Sequence, residues 1–265
     1  DVFDGYCRMS DNAGADEWDY PELHNMFSTL MDMFYTYAER PDENFPNDHA
    51  VSFAEPQMEH IIRSALEELW QLDEGEREAF ENRPLMMSDL AVITELECVR
   101  TKDMPSVLRV RINQYEQKIE MTERISYEDL ANLSGLKKLE MNVFDLTDFR
   151  FVGELTSLRE LILSTWYEVD NVDFLGNLEA LRTLALLSSN PAADYPGPAG
   201  FSNITDLSAL ENCRHLAYLY LITPSVTDFS FLENTPEIYT FVLQGEEGAV
   251  PDRELLPNAM YINFY

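Results

Sequence analysis

Histidine is the side chain best suited to acid–base chemistry near neutral pH, and this sequence contains four histidines that stand far apart. They are His24, His49, His60 and His215. The sequence has no G-x-S-x-G nucleophile turn, no glycine-rich phosphate loop and no H-E-x-x-H zinc pair. Acid pairs occur at any chosen spacing, because 49 of the 265 residues are Asp or Glu. No pair therefore indicates a glycosidase, and we expect a non-enzymatic protein with no catalytic residues and no cofactor.

Two acidic segments could supply oxygen ligands to a calcium ion. They are DENFPND, which starts at Asp42, and EVDNVD, which starts at Glu168. Neither segment has the central glycine and terminal glutamate of an EF-hand loop. Solvated loop carboxylates are the simpler interpretation, and we predict no metal site.

The three cysteines, Cys7, Cys98 and Cys213, include no C-x-x-C pair. Their odd number and their spacing indicate neither a disulfide framework nor a zinc knuckle. Cys98 and Cys213 fall where the repeat pattern described below requires an apolar core residue. We therefore expect both to be buried thiols.

The charge of the chain limits the class of partner. The sequence has 18 basic and 49 acidic residues, a formal net charge of −31, and the excess of acid extends over both halves. Such a field repels phosphate backbones and anionic lipids and attracts basic proteins. We expect no nucleic-acid binding. No apolar run approaches the length of a membrane span, so we expect no membrane insertion.

The N-terminal third predicts helices. Apolar residues three and four apart indicate one helix from Leu23 to Ala38 and a second from Met58 to Trp70, with Pro56 near its first turn. Residues 76–82 could extend the second helix beyond Gly75. Residues 85–121 are rich in strand-forming side chains, and we interpret them as extended segments that lead into the next region.

Five segments of the C-terminal half share one spacing of apolar residues. Each follows the pattern apolar-x-x-apolar-x-apolar, at an interval of about 22 residues with one longer gap. The segments are LKKLEM from Leu136, LRELIL from Leu158, LRTLAL from Leu181, LAYLYL from Leu216 and IYTFVL from Ile238. The longer gap contains a Pro- and Gly-rich insertion at 188–203.

These repeats resemble the leucine-rich repeats of bacterial internalin-type proteins. NITDLSALENCRHLAYLYL, from Asn203 to Leu221, is the best single match, and the resemblance covers about half of the chain. It implies an α/β solenoid in which a leucine-rich-repeat parallel sheet is sealed by an N-terminal α-helical cap. The implied limits are 1–84 for the helical region, 85–124 for the joining segments and 125–265 for the repeats.

One feature of that family is missing. Its repeats usually carry an Asn three residues after the last consensus Leu, where the side chain bonds the backbone of neighbouring loops. Here the corresponding positions are occupied by Phe144, Trp166, Ser189 and Pro224. Without this Asn ladder, we expect the connections between strands to be less regular than in the family.

The repeat pattern predicts which side chains face the concave side of the sheet. These side chains become more apolar towards the later repeats, which indicates a contact surface. The insertion could instead cover them, or strand propensity alone could account for them. The predicted contact residues are Ile162, Leu187, Tyr218, Tyr220, Ile222 and Val242, with Trp166, Tyr195 and Phe201 at the rim.

Two functions remain open on these grounds. The first is a protein-binding module that uses the concave face, secreted or on the bacterial cell surface as the resemblance implies. The second is an acidic inhibitor or immunity-like protein that neutralises a basic toxin or nuclease in the cytoplasm. The net charge of −31 and the unpaired cysteines favour the second.

Overall fold

Strands and short 3-10 helical segments alternate along most of the chain. A computed structural model describes residues 45–101, 103–121, 124–188, 200–222, 225–244 and 250–264. All of them lie in the compact unit Glu39–Tyr265. The helix predicted at Leu23–Ala38 therefore lies outside the described residues.

The elements are numbered in chain order. The α-helices are α1 Pro56–Leu69, α2 Glu74–Glu81 and α3 Met87–Ala91. The strands are β1 Ala50–Val51, β2 Leu85–Met86, β3 Glu95–Arg100, β4 Val107–Ile112, β5 Tyr115–Glu120, β6 Lys138–Val143, β7 Glu160–Thr165, β8 Thr183–Ser188, β9 Tyr218–Ile222, β10 Thr240–Gln244 and β11 Tyr261–Phe264. The 3-10 segments are η1 Glu128–Asn132, η2 Arg150–Glu154, η3 Asp173–Asn177, η4 Ser208–Asn212, η5 Ser230–Asn234 and η6 Arg253–Leu255.

Nine of these strands form one sheet, in the order β11-β10-β9-β8-β7-β6-β3-β4-β5. Pairing is parallel from β3 through β6 to β11, whereas β3 pairs with β4, and β4 with β5, in the antiparallel sense. Strands β1 and β2 form a separate antiparallel pair. This topology confirms the predicted leucine-rich-repeat solenoid with a parallel sheet.

The core consists of apolar side chains stacked in register from strand to strand. Pairing brings Leu139 beside Leu161, then Leu184, Leu219 and Phe241, and every one of them is buried. One fully buried Leu contributes about 1.5–3 kcal/mol, so these columns supply much of the folding free energy. The 3-10 segments close the other side of the core with Leu130, Val152, Leu175, Leu210 and Leu232.

The 3-10 segments between the strands resemble one another in length. Each of η1 to η5 has five residues. A short polar side chain ahead of each segment accepts a backbone N–H two residues further on, as Asp206 does from Ser208 (2.8 Å) and Asp228 from Ser230 (2.9 Å). Ser126, Asp148, Asn171 and Asp252 make the same turn. Some of the acidic residues of the chain therefore stabilise local turns.

Hydroxyl groups bond neighbouring repeats where the Asn ladder is missing. The Thr165 hydroxyl donates to the carbonyl of Leu146 (2.7 Å), and the Ser188 hydroxyl donates to that of Ile222 (2.9 Å). Thr165 and Ser188 are register partners, one residue before the position of the family's Asn. They lie at the C-terminal ends of β7 and β8, where each hydroxyl bonds a backbone carbonyl of the neighbouring repeat.

Helix α1 confirms the second predicted helix. Pro56 occupies its first turn, and its buried face consists of Met58, Ile61, Ile62, Ala65, Leu66 and Leu69. The side chain of Gln117 in β5 donates to the carbonyl of Ile61 (2.9 Å). The buried carboxylate of Asp129 in η1 accepts the N–H groups of Ala54 and Glu55 (3.0 and 2.7 Å), which joins the residues before α1 to the first 3-10 segment.

Residues 85–121 contain the predicted extended segments as β2 to β5, together with the short helix α3. Strand β3 pairs with β6 in the same register as the later strands, so that Leu96 lies beside Leu139 and Cys98 beside Met141. The weak repeat-like trace SDLAVITELECV therefore includes a full member of the parallel sheet.

Cys98 and Cys213 are free and fully buried, as predicted. Cys213 occupies the core position that Leu133, Leu155 and Leu178 occupy in earlier repeats. Burial disfavours the thiolate and raises the pKa of each thiol to about 12, with a smaller contribution from a nearby glutamate.

Glycine is required where the chain returns from the insertion. Gly200 has φ +59°, and a Cβ there would lie 2.6 Å from the carbonyl oxygen of Thr165. We expect Gly200→Ala to lower the free energy of unfolding by about 2–4 kcal/mol, because strain and collision add. Gly75→Ala is the matched control, since its Cβ would approach only Asp73, at 3.5 Å. Denaturant midpoints by circular dichroism would test this, and equal midpoints would contradict it.

The raised thiol pKa values predict slow alkylation. At pH 8, below a pKa of about 12, both thiols are protonated in the folded protein, and burial also blocks reagents. In a Cys7→Ser variant we expect no rapid reaction with a thiol reagent in buffer and two reactive thiols in denaturant. A thiol that reacts within seconds in buffer would show that one site is accessible.

Candidate functional site

The candidate site lies on the face of the large sheet that points away from the core. We call this the open face, and it is the face that the repeat pattern predicts to be concave. Side chains alternate along each strand, so the residues between the buried positions line this face. Strand register aligns its central column as Glu97, Glu140, Ile162, Ala185, Tyr220, Val242 and Asn263.

The open face is charged from β5 to β7. Glu97 forms ion pairs with both Arg109 (3.1 Å) and Arg111 of the neighbouring strand β4. On the next strands, Lys138 pairs with Glu160 (2.7 Å). Each pair spans adjacent strands and is partly exposed, so it contributes about 1 kcal/mol or less to stability.

Two half-buried groups in the charged region have shifted pKa values. Burial raises the pKa of Glu140, and the neighbouring carboxylate of Glu97 raises it further. Burial alone would lower the pKa of Lys138, but its hydrogen bond to Glu160 and the attraction of that carboxylate give a net rise. The surroundings of Glu140 therefore disfavour the ionised form of its carboxyl group.

The open face becomes apolar from β7 to β10. The six predicted contact residues lie there on four adjacent strands, and each is partly exposed. We call this set the apolar patch: Ile162, Leu187, Tyr218, Tyr220, Ile222 and Val242. The ring of Tyr239, which is exposed, lies 6.1 Å from that of Tyr218 and extends the patch towards the start of β10.

The three predicted rim residues differ in their positions. Trp166 is partly exposed and meets Phe144 edge to face at 6.4 Å, and Phe144 in turn lies under the Arg100 guanidinium at 5.2 Å. Tyr195 lies outside the described residues. Phe201 is not at the rim: its exposed fraction is 0% and its ring lies 5.8 Å from that of Phe149 in the core.

The charged part of the open face was not predicted as part of a site. Arg109 and Arg111 alternate with apolar residues in the sequence, which indicates a strand with one polar face. Asn113, a residue type that favours turns, is the local signal for the two-residue turn that joins β4 to β5. Asn113 has φ 49°, and its side-chain oxygen accepts the N–H groups of Thr94 and Glu95, which aligns β4 with β3.

Groups that could hold a metal ion or carry a proton are scattered. Within the described ranges, no three His, Cys, Asp or Glu side chains are grouped to bind a metal. The acidic segment that begins at Glu168 forms a turn, in which Asn171 accepts the N–H of Asp173 (3.3 Å). His215 lies 3.3 Å from Glu237 on the surface.

No helix in the part of the chain that the structure describes is long and apolar enough to cross a membrane. No protein-family model matches the sequence, and no curated protein matches it.

Solved structures with a similar fold include two internalins of Listeria monocytogenes. One, inlF, is 19% identical with a TM-score of 0.44, and the match covers 80% of this chain and 56% of that one. The other, internalin C2, is 17% identical with a TM-score of 0.46, and the match covers 82% of this chain and 92% of that one. This chain thus spans little more than half the length of the first. The in-register leucine columns and the alternating 3-10 segments give the described residues a leucine-rich-repeat fold.

Proposed function

We propose that this protein is a non-enzymatic binding module that holds a protein partner on the open face of its repeat sheet. The observation that carries this proposal is the apolar patch. Its six side chains are on the side of the sheet opposite the core, so the packing of the repeats does not require them to be apolar. Clustered, partly exposed apolar side chains are typical of contact surfaces, and tyrosine is a favoured anchor in them.

The rest of the chain supports such a surface. On this proposal, residues 1–84 act as the helical cap, 85–124 join the cap to the repeats and 125–265 form the repeat domain. The parallel register determines the positions of the patch residues relative to one another. A partner would therefore meet a preorganised surface, which reduces the entropy lost on binding.

Truncation of the two central tyrosines tests the proposal. Affinity capture with the full chain identifies partners in native lysate and medium, and each is then measured in purified form. We expect Tyr218→Ala combined with Tyr220→Ala to weaken binding by about 30-fold or more, because both rings lie centrally in the patch.

The matched control for this experiment is Met104→Ala. Met104 is a large apolar side chain on the β3–β4 connection with an exposed fraction of 59%. It should leave every dissociation constant unchanged. Denaturant midpoints of all variants check that they are folded. If the double variant retains every partner at full affinity, binding on the open face is wrong.

The second candidate is an acidic inhibitor of a basic toxin or nuclease. The net charge of −31 favours it, and many exposed carboxylates, among them Glu179, Glu211 and Glu233, lie off the open face in the connecting segments. Such a complex would form through long-range attraction to these groups rather than through the apolar patch.

Salt dependence separates the two candidates. A complex held by the apolar patch should change its dissociation constant by about threefold or less between 50 and 500 mM salt. A complex held by the overall acidity should weaken on the order of a hundredfold, because salt screens exposed charges. Isothermal titration calorimetry with the purified partner would measure this. Steep weakening with no effect of the tyrosine substitutions would favour the inhibitor.

A further inference from the structure

In the central column of the open face, the side chains change from charged to apolar between β6 and β7. In the central column, Glu140 on β6 is directly beside Ile162 on β7. Glu140 thus has the charged part of the face on one side and the apolar patch on the other. A ligand that covers the patch and extends towards β3 must pass over this carboxylate.

The charges around Glu140 are largely paired with one another. Arg109 and Arg111 pair with Glu97, and Lys138 pairs with Glu160. No ion pair between described residues includes Glu140, although it is half buried and beside Glu97. Burial and the adjacent carboxylate raise its pKa more than the nearby cations Lys138 and Arg111 lower it, so its ionised form is only partly compensated. An added cation at this point would supply it.

We propose that the open face takes a protein segment that places an arginine or lysine side chain on Glu140 and an aromatic or large aliphatic side chain on the apolar patch. This inference rests on the proposed function and specifies the chemistry of the partner. Charge complementarity favours this occupant over an acidic one, because the cations around Glu140 already pair with Glu97 and Glu160, whereas Glu140 has no ion pair among the described residues. Arginine suits the position best, because its planar fork matches a carboxylate.

The sheet also predicts the spacing of the two contacts. Glu140 on β6 and Tyr220 on β9 are three strands apart in the same column. At about 4.8 Å per strand, this separation is about 14 Å. An extended segment that crosses the strands at about 3.4 Å per residue covers it in about four residues. The cationic and apolar side chains of the partner should therefore be about four positions apart.

A random library of 12-residue peptides displayed on phage tests this with the full chain as bait. We expect enriched peptides to carry Arg or Lys three to five positions from an aromatic or large aliphatic residue. Synthetic copies should bind Glu140→Gln about tenfold more weakly than the natural chain. Glu140→Gln removes the charge repulsion with Glu97, so it should fold at least as well. Glu233→Gln on η5 is the matched control and should not change binding.

The outcomes distinguish this inference from the proposed function. Peptides that lose affinity with Tyr218→Ala and Tyr220→Ala but not with Glu140→Gln would overturn the cationic contact and leave the binding module standing. Peptides that respond to neither change would overturn both. Enrichment of peptides without a basic residue, or of none at all, would contradict the proposed partner chemistry.

Discussion

The fold depends on one constraint: no repeat can bury its own apolar side chains. A single strand with its 3-10 segment exposes Leu positions on both flanks, and only the next repeat in register covers them. A slip of one residue between β7 and β8 would turn Leu161 and Leu163 towards solvent and Ile162 towards the core. Register is therefore strongly specified, and the open face inherits this order, because its side chains alternate with the buried ones.

The stacking of repeats also explains why short polar side chains recur ahead of the 3-10 segments. Each 3-10 segment begins at a turn that a short side chain completes, and in most repeats that side chain is Asp. Backbone N–H groups stabilise the ionised form and lower the pKa of Asp206, whereas Asp148 owes its lowered pKa chiefly to Arg150. The strong acidity of the chain is thus partly a result of turn construction repeated along the solenoid, and it need not all serve a partner.

Sequence reasoning predicts the parts of this molecule whose signals are local. Helix α1 and the strand columns repeat their apolar spacing over many residues, and Cys213 is identified as a core residue because it occupies a Leu position. The contribution of Arg109 and Arg111 to the open face depends on the pairing of β4 with β3. This long-range contact cannot be predicted from the local sequence pattern. The position of Phe201 within the Pro- and Gly-rich insertion predicts a rim residue, but its ring is buried in the core, a long-range contact that no local pattern signals.

The missing Asn ladder shows a similar limit. Its absence is plain in the sequence, but hydroxyls one residue earlier and the backbone itself supply hydrogen bonds between neighbouring repeats. The N–H of Trp166 donates to the carbonyl of Phe144 (3.0 Å), and that of Phe144 to the carbonyl of Arg100 (3.1 Å). A side-chain motif can be lost when its partners are backbone groups that several neighbours can reach.

Residues at the C-terminal ends of β7 and β8 hold the two ends of the insertion together. The Ser188 hydroxyl accepts the N–H of Phe201 (3.0 Å), Gly200 donates to the carbonyl of Trp166 (3.2 Å), and the Phe201 ring is buried in the core. The described residues on both sides thus hold the stem of the insertion closed. This makes the insertion a natural graft point: foreign loops of different length could be carried between Ser188 and Gly200 while the repeats on either side keep their pairing.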